Sequence, residues 1–155
     1  MRKLTNKEYN YIFKKTARVT VDILIKDKRG VLFIKRDIRP DIGKWHLPGG
    51  TVYYKEKIVD AIKRKAKEET GLQIKIKKFL GVFEFMRQRE PGNTHIVDLV
   101  FLVKPVGGKL KGDSRYGGKT LRFFRKLPKN MMAEHKKVLE GRLISGEYVR
   151  SKWSA

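Results

Sequence analysis

The stretch from Gly49 to Leu72, GGTVYYKEKIVDAIKRKAKEETGL, constrains this chain more than any other. It reads as a glycine loop, an amphipathic helix and a glycine stop. Gly49 and Gly50 follow Pro48 and leave a backbone free to take positive φ or to approach a ligand closely. From about Tyr54 no Gly or Pro interrupts the chain until Gly71, which is placed to end the helix in a left-handed conformation. At about 100° per residue, Ile58, Ala61, Ile62, Lys65 and Glu69 share one broad face, with Glu68 at its edge. Asp60, Lys63 and Lys67 point the other way. Paired glutamates on a helix are ordinarily a solvated face. At the end of this helix, facing a glycine loop, the pair is also able to hold a hard cation.

The spacing of Gly50, Glu56, Arg64, Ala66, Glu68, Glu69, Gly71 and Leu72 resembles the Nudix box, and Trp45, Leu47, Pro48 and Gly49 resemble its usual lead-in. One defining position departs: the Glu expected after the Arg is here Lys65. The resemblance implies an α/β/α sandwich with a mixed β-sheet between helices, as a single domain over residues 1–155. It implies a hydrolase that cleaves a nucleoside diphosphate linked to another moiety, usually by attack of water at phosphorus, with Mg²⁺ or Mn²⁺ as cofactor. Glu69 and Glu68 become the metal ligands, with the Gly50 carbonyl a third. Arg64, one turn before Glu68, pairs with it at i,i+4. Glu56 holds the box rather than taking part in the chemistry, and Gly71 closes it.

Lys65 leaves three readings open. Its ammonium can contact substrate phosphate while a distant base does the chemistry. The site can be a degenerate one that binds a nucleotide without cleaving it. Or the flexible stem can carry the charge outward. The loop before the box adds a variant, because Lys35-Arg36, Arg39-Pro40, Gly43, Trp45 and Pro48-Gly49-Gly50 resemble the GDP-mannose mannosyl hydrolases. Arginines there are suited to forking onto a diphosphate, which makes Arg36 and Arg39 substrate-binding candidates. That subgroup uses a late-loop histidine, and Tyr116 to Thr120 contains none. Of His46, His95 and His135, only His46 is expected to face the site. Glu84 and Asp98 are the remaining acids considered as a base or second ligand.

A length of 155 residues fits one domain with its own core. The absence of cysteine excludes disulfides and thiolate metal sites. No apolar run approaches the ~20 residues of a membrane span, and the opening Met-Arg-Lys-Leu-Thr-Asn-Lys has no apolar signal core, so a cytoplasmic protein is expected. The net charge of +22 favours polyanionic ligands, with a nucleotide-type small molecule the first expectation and nucleic acid, as for a cap-cleaving enzyme, an alternative.

Asn6 to Lys15 is expected as a short helix or arm packed on the domain, and as a segment that a homodimer could exchange. Val19, Val21, Ile23 and Ile25 alternate along a strand that turns at Asp27–Gly30 into a second, Val31–Arg36. Gln73–Phe85 is one strand, or two with a kink near Gly81. His95–Lys104 is a buried central strand, and Thr120 begins the last strand. Asn130 is expected to cap a final helix to Leu139, with Met131, His135, Val138 and Leu139 inward. The loops at 36–46, 86–94 and 107–119 are the expected seats of specificity, and 145–155 is weakly patterned.

Overall fold

A computed structural model describes residues 4–39, 41–87, 94–116 and 118–140. Most of the expected 86–94 loop and the 145–155 tail lie outside them.

Strand β1 (Arg18–Asp27) organises the sheet. It turns through Lys28-Arg29 into β2 (Gly30–Lys35), the Arg29 N–H and guanidinium both held by Asp27. It pairs antiparallel with the short β4 (Gly49–Thr51), Thr20 opposite Thr51 and Asp22 opposite Gly49. It runs parallel to β6 (Thr94–Gly108), Thr20 opposite Asp98. Beyond β6 lies β5 (Leu72–Arg87), antiparallel. On the other side β2 pairs with both β3 (Trp45–His46) and β7 (Thr120–Phe124). The result is a mixed seven-stranded sheet.

Side-chain alternation along β1 makes it a three-layer molecule. Val21, Ile23 and Ile25 face helix α2 (Ile58–Thr70), packing with Ala61, Ile62, Ala66, Leu72 and Val103. Leu24 faces the opposite way, toward Phe33, Leu47, Val100 and helix α3 (Ala133–Leu139) through Val138 and Leu139. Strands covered on both faces read as nearly continuous apolar runs, which is why β6 stands out in the sequence. Each fully buried aliphatic side chain contributes roughly 1.5–3 kcal/mol. This is the α/β/α sandwich expected, with β1 at its centre and β6 an interior strand between β1 and β5.

Several details differ from the sequence reading. Helix α2 starts at Ile58, not near Tyr54, because a tight turn comes first: Glu56 N–H bonds Tyr53 O and Lys55 takes φ 60°. Ile58, in the first turn, stays 40% exposed, while Ala66 and Thr70 are buried instead. Strand β5 is continuous, with irregularities at Gln73/Ile74, Ile76/Lys78 and Phe79/Gly81 that absorb its bend. Val19 is exposed near the start of β1.

Asn130 is not a cap. Its backbone carbonyl accepts from Trp45 N–H, and Met132 N–H returns to Trp45 O, so 130–132 runs alongside β3 before α3 begins. Helix α1 (Asn6–Phe13) is capped by a reciprocal Thr5–Glu8 box and buries none of its residues; Arg18 lies over its Tyr9 and Phe13 rings. No helix among the described residues is long and apolar enough to cross a membrane.

Candidate active site

The box closes on itself through Arg64. Its Nε and Nη2 donate to the two oxygens of Glu56 at 2.6 and 2.8 Å, a bidentate fork. Nη2 also reaches Thr51 O at 3.1 Å, Nη1 reaches Glu68 Oε2 at 3.2 Å, and the guanidinium lies 4.0 Å from the centre of the Tyr53 ring. Glu56 accepts the Tyr53 N–H as well. One arginine thus ties the loop, the turn before the helix and the helix surface together. The pairing shifts both partners in the expected sense: Arg64 holds the Glu56 carboxyl below its ordinary range, and Glu56 raises the guanidinium.

Glu69 lies one turn further along, on the buried side, only 4% exposed. Its Oε2 accepts the Gly49 N–H at 3.0 Å and its Oε1 meets the Lys65 ammonium at 2.5 Å. Burial pushes this carboxyl up to about 7, even though Lys65 and the Gly49 N–H pull the other way. The Lys65 ammonium lies 3.6 Å from Glu68 Oε2 as well. Its side chain is 12% exposed, so the stem turns inward, and the outward reading of Lys65 is corrected.

The glycines set the space around these groups. Gly50 has φ 148°, a conformation that side chains avoid, and a Cβ there would stand 2.9 Å from Lys65 Cε. At Gly49 a Cβ would press on the Val21 carbonyl and on Asp22. Gly71, at φ 72°, ends the helix with its N–H on Lys67 O.

Gly50, Glu68 and Glu69 were expected to take Mg²⁺ or Mn²⁺. The structure brings them together, but around the Lys65 ammonium: Glu69 is bonded to it, Glu68 accepts from Arg64 beside it, and its stem fills the space at Gly50. Among the described residues no group of three His, Asp or Glu side chains is arranged to hold a metal. As arranged, the donor set does not fit a divalent ion.

The other candidates separate. Arg36 Nη2 reaches Arg39 O at 3.4 Å in the β2–β3 loop, where Arg39 is exposed. His46 is corrected: it is buried, not turned to the site. Its Nδ1–H donates to Leu47 O at 2.8 Å, and burial, then the neighbouring His135, lowers the ring to about 4, so it is neutral. His95 and Glu84 form a surface pair at 2.6 Å across β5 and β6. Asp98 is buried, accepts from Thr20 Oγ1 at 2.5 Å, and is held well above the ordinary carboxylate range by burial and by the Asp22 charge.

What the sequence reading missed is the pair Asp22–His135. His135 Nδ1 stands 3.0 Å from Asp22 Oδ2, and Asp22 lies opposite Gly49, whose N–H holds Glu69. An acidic residue at an inward position of an otherwise apolar strand was the available signal. Its partner, more than a hundred residues away, gave none.

A sequence profile described as the NUDIX domain matches residues 16–140. The chain is 38% identical over 125 residues to an ADP-ribose pyrophosphatase of Methanocaldococcus jannaschii, covering 79% of this chain and 70% of that one. It is 38% identical over 82 residues to the low-salt glycan biosynthesis protein Agl8 of Haloferax volcanii, covering 53% of each. The crystal structure of a MutT NUDIX hydrolase from Burkholderia pseudomallei superposes with a TM-score of 0.72 at 26% identity, covering 81% of this chain and 98% of that one.

Proposed function

The chain belongs to the Nudix family of hydrolases, and from that premise we propose that it cleaves a nucleoside diphosphate linked to a second moiety, an ADP-ribose-like compound or a nucleotide sugar. The observation that carries this reading is the platform at the end of α2. There Glu69 accepts the Gly49 N–H, the Lys65 stem lies against Gly50, and Arg64 reaches Thr51 O while pairing with Glu68. Such fixed charges act on a diphosphate without reorganising at the moment of reaction. The similarity to the Methanocaldococcus enzyme supports the ADP-ribose class, and that to Agl8 is compatible with a sugar-linked one.

Arg36 and Arg39, in the loop beside the box lead-in, are proposed to receive the substrate's phosphates or terminal moiety. Water attacks one phosphorus, the bridging P–O bond breaks, and the bridging oxygen leaves on the other phosphate. The proton of the attacking water needs an acceptor. Glu56, Glu68 and Glu69 each already accept from a cation, and His46 is interior. His135, whose Nδ1 lies 3.0 Å from Asp22 Oδ2 and 3.3 Å from the Leu47 N, is the candidate left near Gly49 among the described residues. Mg²⁺ or Mn²⁺, of the kind the family generally uses, is read here as a companion of the substrate's diphosphate. A cytoplasmic location accords with such a substrate.

The test is a substrate panel of ADP-ribose, GDP-mannose, dinucleoside polyphosphates and capped RNA, with products resolved in ¹⁸O-labelled water. Label in a phosphate of AMP or ribose phosphate is expected. Free mannose would move the cut to the sugar carbon. Binding without any product would make the protein a nucleotide reader. Glu69→Gln is expected to abolish turnover with the fold intact, and His135→Gln to lower kcat more than it changes KM; unchanged turnover in either removes that residue's role.

A further inference from the structure

Resting on the hydrolase reading, we propose that Lys65 is the box's resident cation: its ammonium takes the place of a protein-bound divalent ion and is presented to a phosphate oxygen of the substrate's diphosphate.

The geometry carries this. The ammonium lies 2.5 Å from Glu69 Oε1 and 3.6 Å from Glu68 Oε2, so it bridges the two carboxylates that would otherwise share a metal. Its stem runs past Gly50, where an added Cβ would come within 2.9 Å of Cε and 3.3 Å of Nζ. The third oxygen expected of a metal site, the Gly50 carbonyl, thus belongs to the residue the lysine already packs on. The Gly49 N–H bonds Glu69 Oε2 and the Lys65 ammonium bonds Oε1, so each oxygen of that carboxylate already has a protein partner.

Charge argues the same way. Three carboxyl groups, Glu56, Glu68 and Glu69, face two cations, Arg64 and Lys65, in one connected set. One net negative charge remains when all are ionised, against three if residue 65 were a glutamate. A hard divalent ion needs several charged or carbonyl oxygens to replace its water, and this set has already spent its charge on side-chain cations. A lysine point charge suits a phosphate.

The test is Mn²⁺ binding, followed by electron paramagnetic resonance, to the wild-type chain and to Lys65→Gln, Lys65→Glu and Glu69→Gln. The wild type is expected to bind Mn²⁺ weakly, with no effect of Glu69→Gln. Lys65→Glu is expected to bind at least roughly a hundredfold more tightly, because a positive neighbour becomes a negative one. Lys65→Gln, which keeps the stem and removes the charge, should lie between them; it serves if the glutamate variant does not fold. Tight wild-type binding that Glu69→Gln abolishes would overturn the proposal, since the metal would then displace the lysine. So would equally weak binding in all four, since Lys65 would not be what excludes the ion. Absence of cleavage of every diphosphate compound by the wild type, Lys65→Gln and Lys65→Glu would instead defeat the hydrolase reading, whatever the Mn²⁺ result.

Discussion

The Arg64–Glu56 fork is the joint on which the rest of the box depends, and its strength can be worked out from the contacts. Arg64→Lys keeps the charge but cannot reproduce the two parallel bonds of 2.6 and 2.8 Å or the contact to Thr51 O. Removing one partner of a fully buried pair costs about 3–5 kcal/mol. Here the side chains of Arg64 and Glu56 are 21% and 12% exposed, so solvent screening reduces that to about 2–3 kcal/mol. For a chain of this size each kcal/mol lowers Tm by roughly 3 °C, which predicts a fall of roughly 6–9 °C. A double-mutant cycle with Glu56→Gln isolates the pair. Urea and thermal unfolding of the four proteins under one buffer should give a coupling of about 1.5–2 kcal/mol. Activity should fall as well, because a lysine at 64 does not reproduce the guanidinium's contact with Glu68 at 3.2 Å. A coupling under about 0.5 kcal/mol, the value of an ordinary surface pair, would refute the claim that this fork holds the loop to the helix.

Two further outcomes concern stability. His46 is buried and titrates near 4 instead of 6.5, so the unfolded chain binds the proton more readily. Its contribution is complete above about pH 6.5 and is lost as pH falls toward 4, amounting to roughly 3 kcal/mol; His46→Gln should flatten that limb of the stability profile, and an unchanged profile would contradict the burial argument. Gly71 and Gly43 both have positive φ, 72° and 84°, but a Cβ at Gly71 would strike the Lys109 carbonyl while one at Gly43 meets nothing within 4 Å. Gly43→Ala should therefore cost only the left-handed conformation, about 1–2 kcal/mol, and Gly71→Ala clearly more. Equal losses in denaturant titrations would count against the steric account.

What the sequence made legible was local chemistry, and what it hid was chemistry completed from afar. Gly71 as the helix stop follows from its own conformational freedom, and the strand pattern of Val21, Ile23 and Ile25 follows from alternation. The start of α2 did not, because nothing near Tyr54 forbids a helix. The turn there is stabilised by Glu56, and Glu56 is held by Arg64, eight positions on in the helix itself. Asn130 has the chemistry of a cap, but Trp45 takes its carbonyl for a strand-like pairing and the helix begins three residues later. His46 sits next to the box in sequence and is turned into the interior, whereas His135, assigned only to a helix face, meets Asp22 on the face of β1 that α3 covers.

Positions 50 and 65 illustrate how one departure from a motif changes what its other positions do. Read as separate positions, Gly50 is a flexible loop residue and Lys65 is a departure. In the fold they are one feature, since the space a side chain at 50 would take is the space the lysine stem occupies. The glycine that lets a backbone carbonyl approach a cation also lets a long side chain bring its own. That side chain ends in an ammonium, and among the described residues it is the cation paired with the buried Glu69, whose other oxygen accepts the Gly49 N–H. Removing the charge at 65 without supplying another would leave a desolvated carboxylate alone, and it would take up a proton instead. The ammonium at 65 therefore answers the burial of Glu69 whatever the substrate, and the phosphate contact we propose falls on the same atom.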